Sequence, residues 1–244
     1  MERAKQIAIT FFESLGYVVQ EIPVAHGKRA DLKVSDGKCS YVVEVKEKLE
    51  ADSQAEYSTI EVPDSLVYVR QEAHARSNRI DGVLKRGAKQ LSETPCADGA
   101  FKLVWLHSEG DHAEMTARRA LYTYYGIADL VPQSQRGNGV NCVYFHYSTA
   151  FAKPNVNGLI VVEDHSLQLC LNEFSDNYGS FKKSSLVRNL GEAVYDPLDF
   201  EKKASTIVLR STISRGRESE VLDEVERTTG IRYRMIKLNR YTFS

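Results

Sequence analysis

The sequence predicts an α/β fold, in which a central mixed β-sheet is flanked by helices and is followed by a strand-rich α+β extension. Three observations in the first 107 residues lead to this prediction. Apolar residues recur with the period of a helix over residues 3–15 and 77–92, three strand-like segments lie between these helices, and an apolar run follows at residues 101–107. The predicted core order is therefore helix, three strands, helix, strand.

The predicted helices have recognisable ends. Gly16 is expected to stop the first helix, and Ser77 or Asn78 can cap the second. The run at residues 101–107 is apolar enough for a strand that is buried on both faces. A third helix is predicted over residues 111–125.

Residues 27–48 read as a β-hairpin. One strand carries Asp31, residues 35–38 turn the chain, and a second strand returns with Glu44 and Lys46. Because side chains alternate between the faces of a strand, Glu44 and Lys46 are expected on the same face. Asp31 on the partner strand can reach the same patch.

Two carboxylates and one amine would then converge on a small area. Mg²⁺ prefers oxygen ligands and typically takes one or two carboxylates together with phosphate oxygens and waters. A lysine beside such a metal can orient or help to activate the attacking water. This is the chemistry of phosphodiester hydrolysis. The alternative is a half-buried strand with one charged, solvated face, because the bare spacing also occurs by chance.

Ala30-Asp31 followed by Glu44-Val45-Lys46 resembles the signature of the PD-(D/E)XK nuclease superfamily, which has the restriction-endonuclease-like fold. Alanine stands here in place of the usual proline, and the resemblance covers about the first 107 residues. It implies that Asp31, Glu44 and Val45 are metal ligands for Mg²⁺, with Mn²⁺ able to substitute. It also implies that Lys46 positions or activates the water.

The resemblance extends to residues on the two predicted helices. Many of these nucleases place a glutamate of the first helix near the metal, and either Glu2 or Glu13 could fill that role; Glu13 is added to the predicted catalytic set. Several branches point a lysine or glutamine of the second helix into the site, which adds Gln90 as a catalytic residue and Lys89 as a nucleic-acid contact. A solvated surface position explains Glu2 and Glu13 at least as well, and it is the better explanation for Lys89.

Two further cations lie just before Asp31. Lys28 and Arg29 are predicted to contact the scissile phosphate as it approaches the metal.

The predicted function is therefore a metal-dependent nuclease, with DNA favoured over RNA by the resemblance. Cleavage of both strands of a duplex would favour a homodimer. A different class of function keeps the fold without catalysis, as a nucleic-acid-binding subunit or one that depends on a partner. In a third class, a small-molecule enzyme or an interaction domain, the charged residues of the hairpin lie on the surface and take no part in the function.

The predicted domain organisation is a nuclease core at residues 1–127, with an insertion at about 49–75, and an extension or second domain at residues 128–244. Strands are predicted at 65–69 within the insertion and at 142–147 in the extension. The last part of the extension reads as a β-α-β-like tail. Residues 201–244 contain ten Lys and Arg against six Asp and Glu, which is either a nucleic-acid-facing surface or a solvated one.

Composition sets the outer bounds. The chain has 244 residues and a net charge of −1, which excludes a generally cationic coat protein but leaves room for a local basic groove. Its four cysteines are scattered without zinc-site spacing, as expected of reduced thiols. Without an apolar signal core or a run of membrane-spanning length, the expected location is the cytoplasm, with no membrane partner.

Overall fold

The computed structural model describes residues 2–23, 29–49, 68–69, 76–110, 112–134, 138–163, 166–202, 205–236 and 242–243. The helices, in chain order, are α1 (Glu2–Ser14), α2 (Asn78–Glu93), α3 (Ala113–Tyr125), α4 (Thr149–Ala152), α5 (Tyr178–Lys182), α6 (Ser185–Leu190), α7 (Pro197–Phe200) and α8 (Glu218–Thr229). The strands are β1 (Val18–Glu21), β2 (Leu32–Ser35), β3 (Ser40–Leu49), β4 (Tyr68–Val69), β5 (Phe101–Glu109), β6 (Ala128–Pro132), β7 (Val140–Val143), β8 (Gly158–Glu163), β9 (Ser166–Leu171), β10 (Val194–Tyr195), β11 (Thr206–Val208), β12 (Tyr233–Met235) and β13 (Thr242–Phe243).

The predicted helices form with the expected ends. Ser77 caps α2 by accepting a hydrogen bond from the Ile80 N–H, which leaves one fewer unsatisfied donor in the first turn. Gly16, just after α1, adopts a positive φ of 78°, a conformation that favours glycine and ends the helix.

The central sheet has seven strands in the order β1-β2-β3-β5-β8-β9-β10. β2 is antiparallel to both β1 and β3, whereas β3, β5 and β8 run parallel to one another. β9 is antiparallel to β8 and parallel to β10. The predicted mixed sheet is confirmed, and β5 lies at its middle with a parallel partner on each side.

Helices cover both faces of this sheet. On one face, α1, α5 and α6 pack around the fully buried Trp105 of β5. On the other face, α2 and α3 pack around Val104 of the same strand. The prediction that β5 is buried on both faces is confirmed.

A second sheet of four strands, in the order β11-β7-β6-β12, packs against α8. All four of its strands follow residue 127. The central sheet, however, also takes β8, β9 and β10 from beyond that residue. The chain therefore leaves the central sheet and returns to it, so the predicted boundary between residues 127 and 128 does not separate one sheet from the other.

The strand predicted at residues 142–147 is shorter and begins earlier, as β7. It ends where Tyr144 takes a φ of 62°, in the left-handed region that breaks an extended strand. The Arg215 guanidinium holds this region by donating hydrogen bonds to the main-chain carbonyl oxygens of Tyr144, Leu209, Ser211 and Ile213. Arg215 thus supports the fold. The strands of the predicted tail, β11 and β12, lie at opposite edges of the second sheet and do not pair.

Most of the predicted insertion at 49–75 lies outside the described residues. Its described part includes β4, which pairs antiparallel with β13. In the portions of the chain that are described, no helix has both the length and the apolar character needed to cross a membrane.

Candidate active site

Strand β3 turns the predicted polar residues toward α2. Val43 and Val45 pack in the core beneath α1, whereas Val42 packs in the core beneath α2. Strict alternation therefore places Glu44 and Lys46 together on the α2 face, as the sequence predicts.

Glu44 is a buried carboxylate, with 1% of the residue exposed. Lys46, whose side chain is 17% exposed, donates from Nζ to Glu44 Oε1 and also, at 2.7 Å, to Gln90 Oε1 of α2. The second carboxylate oxygen, Glu44 Oε2, is buried and has no hydrogen-bond partner among the residues that the structure describes. A buried polar atom in this state calls for an explanation, and one explanation is an ion.

A glycine lets α2 approach β3 closely at this point. A Cβ atom on Gly87 would lie 3.3 Å from Val104 Cγ2 and 3.5 Å from Glu44 Cγ. The first of these distances is tighter than ordinary van der Waals contact. Gly87 therefore allows the helix to cover Glu44 and exclude water from it.

Asp31 lies immediately before β2, and its main chain continues the pairing with β3. Its N–H donates to the Val43 carbonyl oxygen at 3.1 Å, and its own carbonyl oxygen accepts from the Ile22 N–H at 2.8 Å. Its carboxylate Oδ2 accepts from the main-chain N–H of Val45 at 2.8 Å. These three bonds hold the half-buried Asp31 carboxylate at the edge of β3, beside Glu44.

The segment before Asp31 is tied to the end of α2. The Ala30 N–H donates to Thr94 Oγ1 at 2.7 Å, and the Gln90 side-chain amide donates to the Arg29 carbonyl oxygen at 3.2 Å. Gln90 thus contacts Lys46 with one end of its amide and the Asp31 segment with the other. It links the two halves of the site.

Burial dominates the electrostatics of the site. The pKa of Glu44 is raised from 4.5 to about 7, chiefly because burial removes the carboxylate from water. The Lys46 ammonium opposes this rise, and the nearby Asp31 carboxylate adds to it. Glu44 is therefore poised to bind a proton or a cation near neutral pH. Strongly shifted carboxylates of this kind cluster at functional sites.

The donor set fits a hard divalent cation. Asp31 and Glu44 supply carboxylate oxygens, one of which is the buried Glu44 Oε2 described above. Val45 packs its side chain in the opposite core, so only its main-chain oxygen could be a ligand. Because the N–H and C=O of one strand residue point to the same side, this oxygen faces the side on which the Val45 N–H meets Asp31.

Glu2 and Glu13 lie at opposite ends of α1. Lys5 pairs with Glu21 at 2.6 Å and lies 3.7 Å from Glu2. Glu21 lies opposite Leu32, the residue that follows Asp31, so the first turn of α1 is the end nearer Asp31. Glu13 is exposed in the last turn, eight residues after Lys5 and therefore about 12 Å farther along the helix axis. The structure does not bring Glu13 to Asp31.

Two of the three predicted nucleic-acid contacts, Arg29 and Lys89, lie on the described surface. Lys89 has a side chain that is 73% exposed and forms an ion pair with Glu93 at 3.7 Å. Arg29 is exposed beside the Asp31 segment. Lys28 lies outside the described residues.

Sequence reasoning missed a second group of ligand-type side chains, Glu47, His107 and Glu109. Glu47 and His107 each lie two residues after a residue of the core beneath α1, namely Val45 and Trp105, so they project from the same face of their strands. This alternation along each strand was a visible signal. The pairing that brings β3 beside β5 was not visible in the sequence.

No family model, no curated protein and no solved structure matches this chain.

Proposed function

We propose that the protein is a metal-dependent nuclease that hydrolyses phosphodiester bonds, with DNA as the favoured substrate. In this proposal Asp31, Glu44 and the main-chain oxygen of Val45 hold Mg²⁺, and Mn²⁺ can substitute. The proposal includes a restriction-endonuclease-like core. Two features support it. The elements follow one another in the order α1, β1, β2, β3, α2, β5, and β3 is antiparallel to β2 but parallel to β5.

The observation that carries the proposal is the state of Glu44. A carboxylate that is 1% exposed on an internal strand is costly, because moving an ion out of water carries a penalty of several kcal/mol, by order of magnitude. A single hydrogen-bonded lysine satisfies one oxygen and leaves Oε2 without a partner in the described part of the protein. An apolar residue of similar size would fill this position at less cost. A function that needs the charge explains why a carboxylate is there.

When bound, the metal would polarise the phosphate and lower the pKa of a coordinated water. The chain's own residues do the rest. Lys46 is held by Glu44 and Gln90, so its ammonium can orient the attacking water and offset charge that develops on the phosphate. Gln90 is a positioning residue, because it contacts Lys46 and the Arg29 carbonyl oxygen at once.

Recognition of the substrate backbone fits the surroundings of Asp31. Arg29 is exposed there, and the α2 surface carries further cations, including Lys85 and Arg86. Phosphate contacts by such residues position a nucleic acid without reading its sequence. Cleavage of both strands of a duplex with one active site per chain would favour a homodimer or a partner subunit.

Cleavage of a mixed panel tests the proposal. Supercoiled, linear, single-stranded and branched DNA, together with RNA, would be incubated with Mg²⁺, Mn²⁺ or EDTA. Glu44→Gln and Asp31→Asn keep side-chain shape while removing the charge. Glu163→Gln is the matched control, since Glu163 is a partly buried carboxylate of the same sheet that lies two strands away on β8.

We expect metal-dependent cutting that Glu44→Gln and Asp31→Asn abolish and Glu163→Gln leaves unchanged. Cutting that survives in both site variants would contradict the assignment. Nucleic-acid binding at low salt without any cutting would point instead to a partner-dependent or purely binding subunit, in which the same residues are retained.

A further inference from the structure

A second polar cluster lies on the other side of the central strands. Glu47, His107 and Glu109 each offer one ligand atom, and these atoms all lie within 4.8 Å of one another. In the parallel pairing of β3 with β5, Glu47 is directly opposite His107, and Glu109 follows two residues later on the same face. Three ligand-type side chains are thus placed together by two adjacent strands of the sheet.

This cluster faces α1 and not the candidate active site. Val45 and Trp105, which precede Glu47 and His107 by two residues, both pack in the core beneath α1. Glu44 projects from the opposite face of β3 toward α2. The thickness of the sheet therefore separates the two groups of polar side chains.

The chemistry of the ligands distinguishes this cluster from a plain acidic patch. It combines one imidazole, in a residue that is 4% exposed, with two carboxylates. A mixed nitrogen and oxygen set suits Zn²⁺ and similar transition-metal ions, whereas Mg²⁺ and Ca²⁺ favour oxygen ligands alone. Three protein ligands would leave a fourth tetrahedral position for water. The Glu109 side chain is 26% exposed, which gives an ion a path from solvent.

We propose that Glu47, His107 and Glu109 form a binding site for Zn²⁺ or a similar transition-metal dication, which ties the ends of the two central strands together. This site is separate from the proposed nuclease centre and does not depend on that function. Arg3 of α1 donates a hydrogen bond to the Glu109 carboxylate and so competes with the ion for it.

Metal binding by the full chain tests the site directly. The background for the test carries Glu44→Gln, so that the nuclease centre does not contribute. It also carries Cys39→Ser and Cys96→Ser, because these are the two thiols among the four that are not fully buried. Zn²⁺ is titrated by calorimetry, the melting temperature is followed with Zn²⁺ or Mg²⁺, and Co²⁺ serves as a spectroscopic probe.

We expect one Zn²⁺ per chain, a rise in melting temperature with Zn²⁺ but not with equal Mg²⁺, and a visible Co²⁺ absorption band. Glu47→Gln and Glu109→Gln should each weaken Zn²⁺ binding by at least about tenfold and remove the Co²⁺ band. Both residues are only partly buried, so these variants should fold even where a change at His107 does not. Glu163→Gln, which lies at the end of β8, should leave the affinity unchanged.

Arg3→Gln should change the Zn²⁺ affinity in the opposite direction to Glu47→Gln and Glu109→Gln. Loss of an exposed ion pair frees the Glu109 carboxylate, so Zn²⁺ binding should tighten by about two- to fivefold. The proposal is overturned if no saturable Zn²⁺ binding occurs. It is also overturned if Glu47→Gln and Glu109→Gln bind Zn²⁺ as tightly as the background does.

Discussion

The two faces of strands β3 and β5 carry polar clusters of different construction. On the α2 face, Glu44 and Lys46 come from one strand and are covered by a helix that Gly87 brings close. On the α1 face, Glu47 must meet His107 and Glu109 of a neighbouring strand. The first cluster follows from alternation along a single strand, and the second follows from the register between two strands. The comparison shows that one strand can contribute polar side chains to two separate clusters, because successive side chains point to opposite faces.

Of the four changes, replacing Lys46 should produce the largest difference between its effect on cleavage and its effect on Zn²⁺ binding. Lys46→Met removes the ammonium that contacts Glu44 and Gln90, and we expect the cleavage rate to fall by about 10²- to 10³-fold. Zn²⁺ affinity on the α1 face should not change. Single-turnover cleavage and calorimetry measure the two effects. Lys33→Met, at an exposed position of β2, is the control, and an equal loss of cleavage there would mean that Lys46 has no special role.

Crowding the α2 face should damage one cluster and spare the other. Gly87→Leu would push side-chain atoms into Val104 and Glu44, so we expect it to lower the free energy of unfolding by about 1–3 kcal/mol and to slow cleavage, though by less than Lys46→Met does. Gly82→Leu is the matched control in the same helix, since a Cβ atom there meets only the flexible end of Arg86 at 3.5 Å. Urea unfolding measures both variants. Equal stability for the two would contradict the close packing at Gly87.

The buried charge of Glu44 should make stability depend on pH. The pKa of Glu44 is raised by burial to about 7 in the folded state from 4.5, so the folded chain binds more protons between these values. Stability should therefore fall as pH rises from 4.5 to about 7 and then level off. Compared with Glu44→Gln, the wild type should lose roughly 1–3 kcal/mol more between pH 5 and 8.

Urea unfolding in EDTA measures this difference, because EDTA keeps metal ions from masking the charge. Parallel stability profiles for the wild type and Glu44→Gln would show that Glu44 titrates normally. Glu163→Gln should follow the wild type.

Gln90 should have the smallest effect of the four. Gln90→Ala leaves Lys46 bound to Glu44 but removes the second hydrogen bond of the Lys46 ammonium. It also removes the hydrogen bond from position 90 to the Arg29 carbonyl oxygen. We expect about a tenfold loss in cleavage rate, typical of a residue that orients a catalytic group. Gln90→Glu restores an acceptor for Lys46 and should recover part of the rate. If Gln90→Glu does not recover any of the cleavage rate, Gln90 does not act by accepting a hydrogen bond from Lys46.

Local patterns predicted the secondary structure closely around the site. The apolar stripes gave α1 and α2 to within about two residues, and the cap at Ser77 is present. The shared face of Glu44 and Lys46 also followed from alternation. The strand at β7 was predicted too long, since the left-handed Tyr144 leaves no pattern in the sequence. The metal and the nuclease activity stay predictions.

By itself, the sequence determined which segments are helices and strands and which side chains share a face, because periods of 3.6 and 2.0 residues are local properties of the backbone. Only the tertiary structure decided which strands are neighbours. In that structure Glu47 lies opposite His107, and Gln90 contacts Lys46. Glu13 lies at the end of α1 that is farther from Asp31, and β8, β9 and β10 belong to the central sheet. These relations join residues far apart in the chain, and packing and strand register, not local pattern, select them.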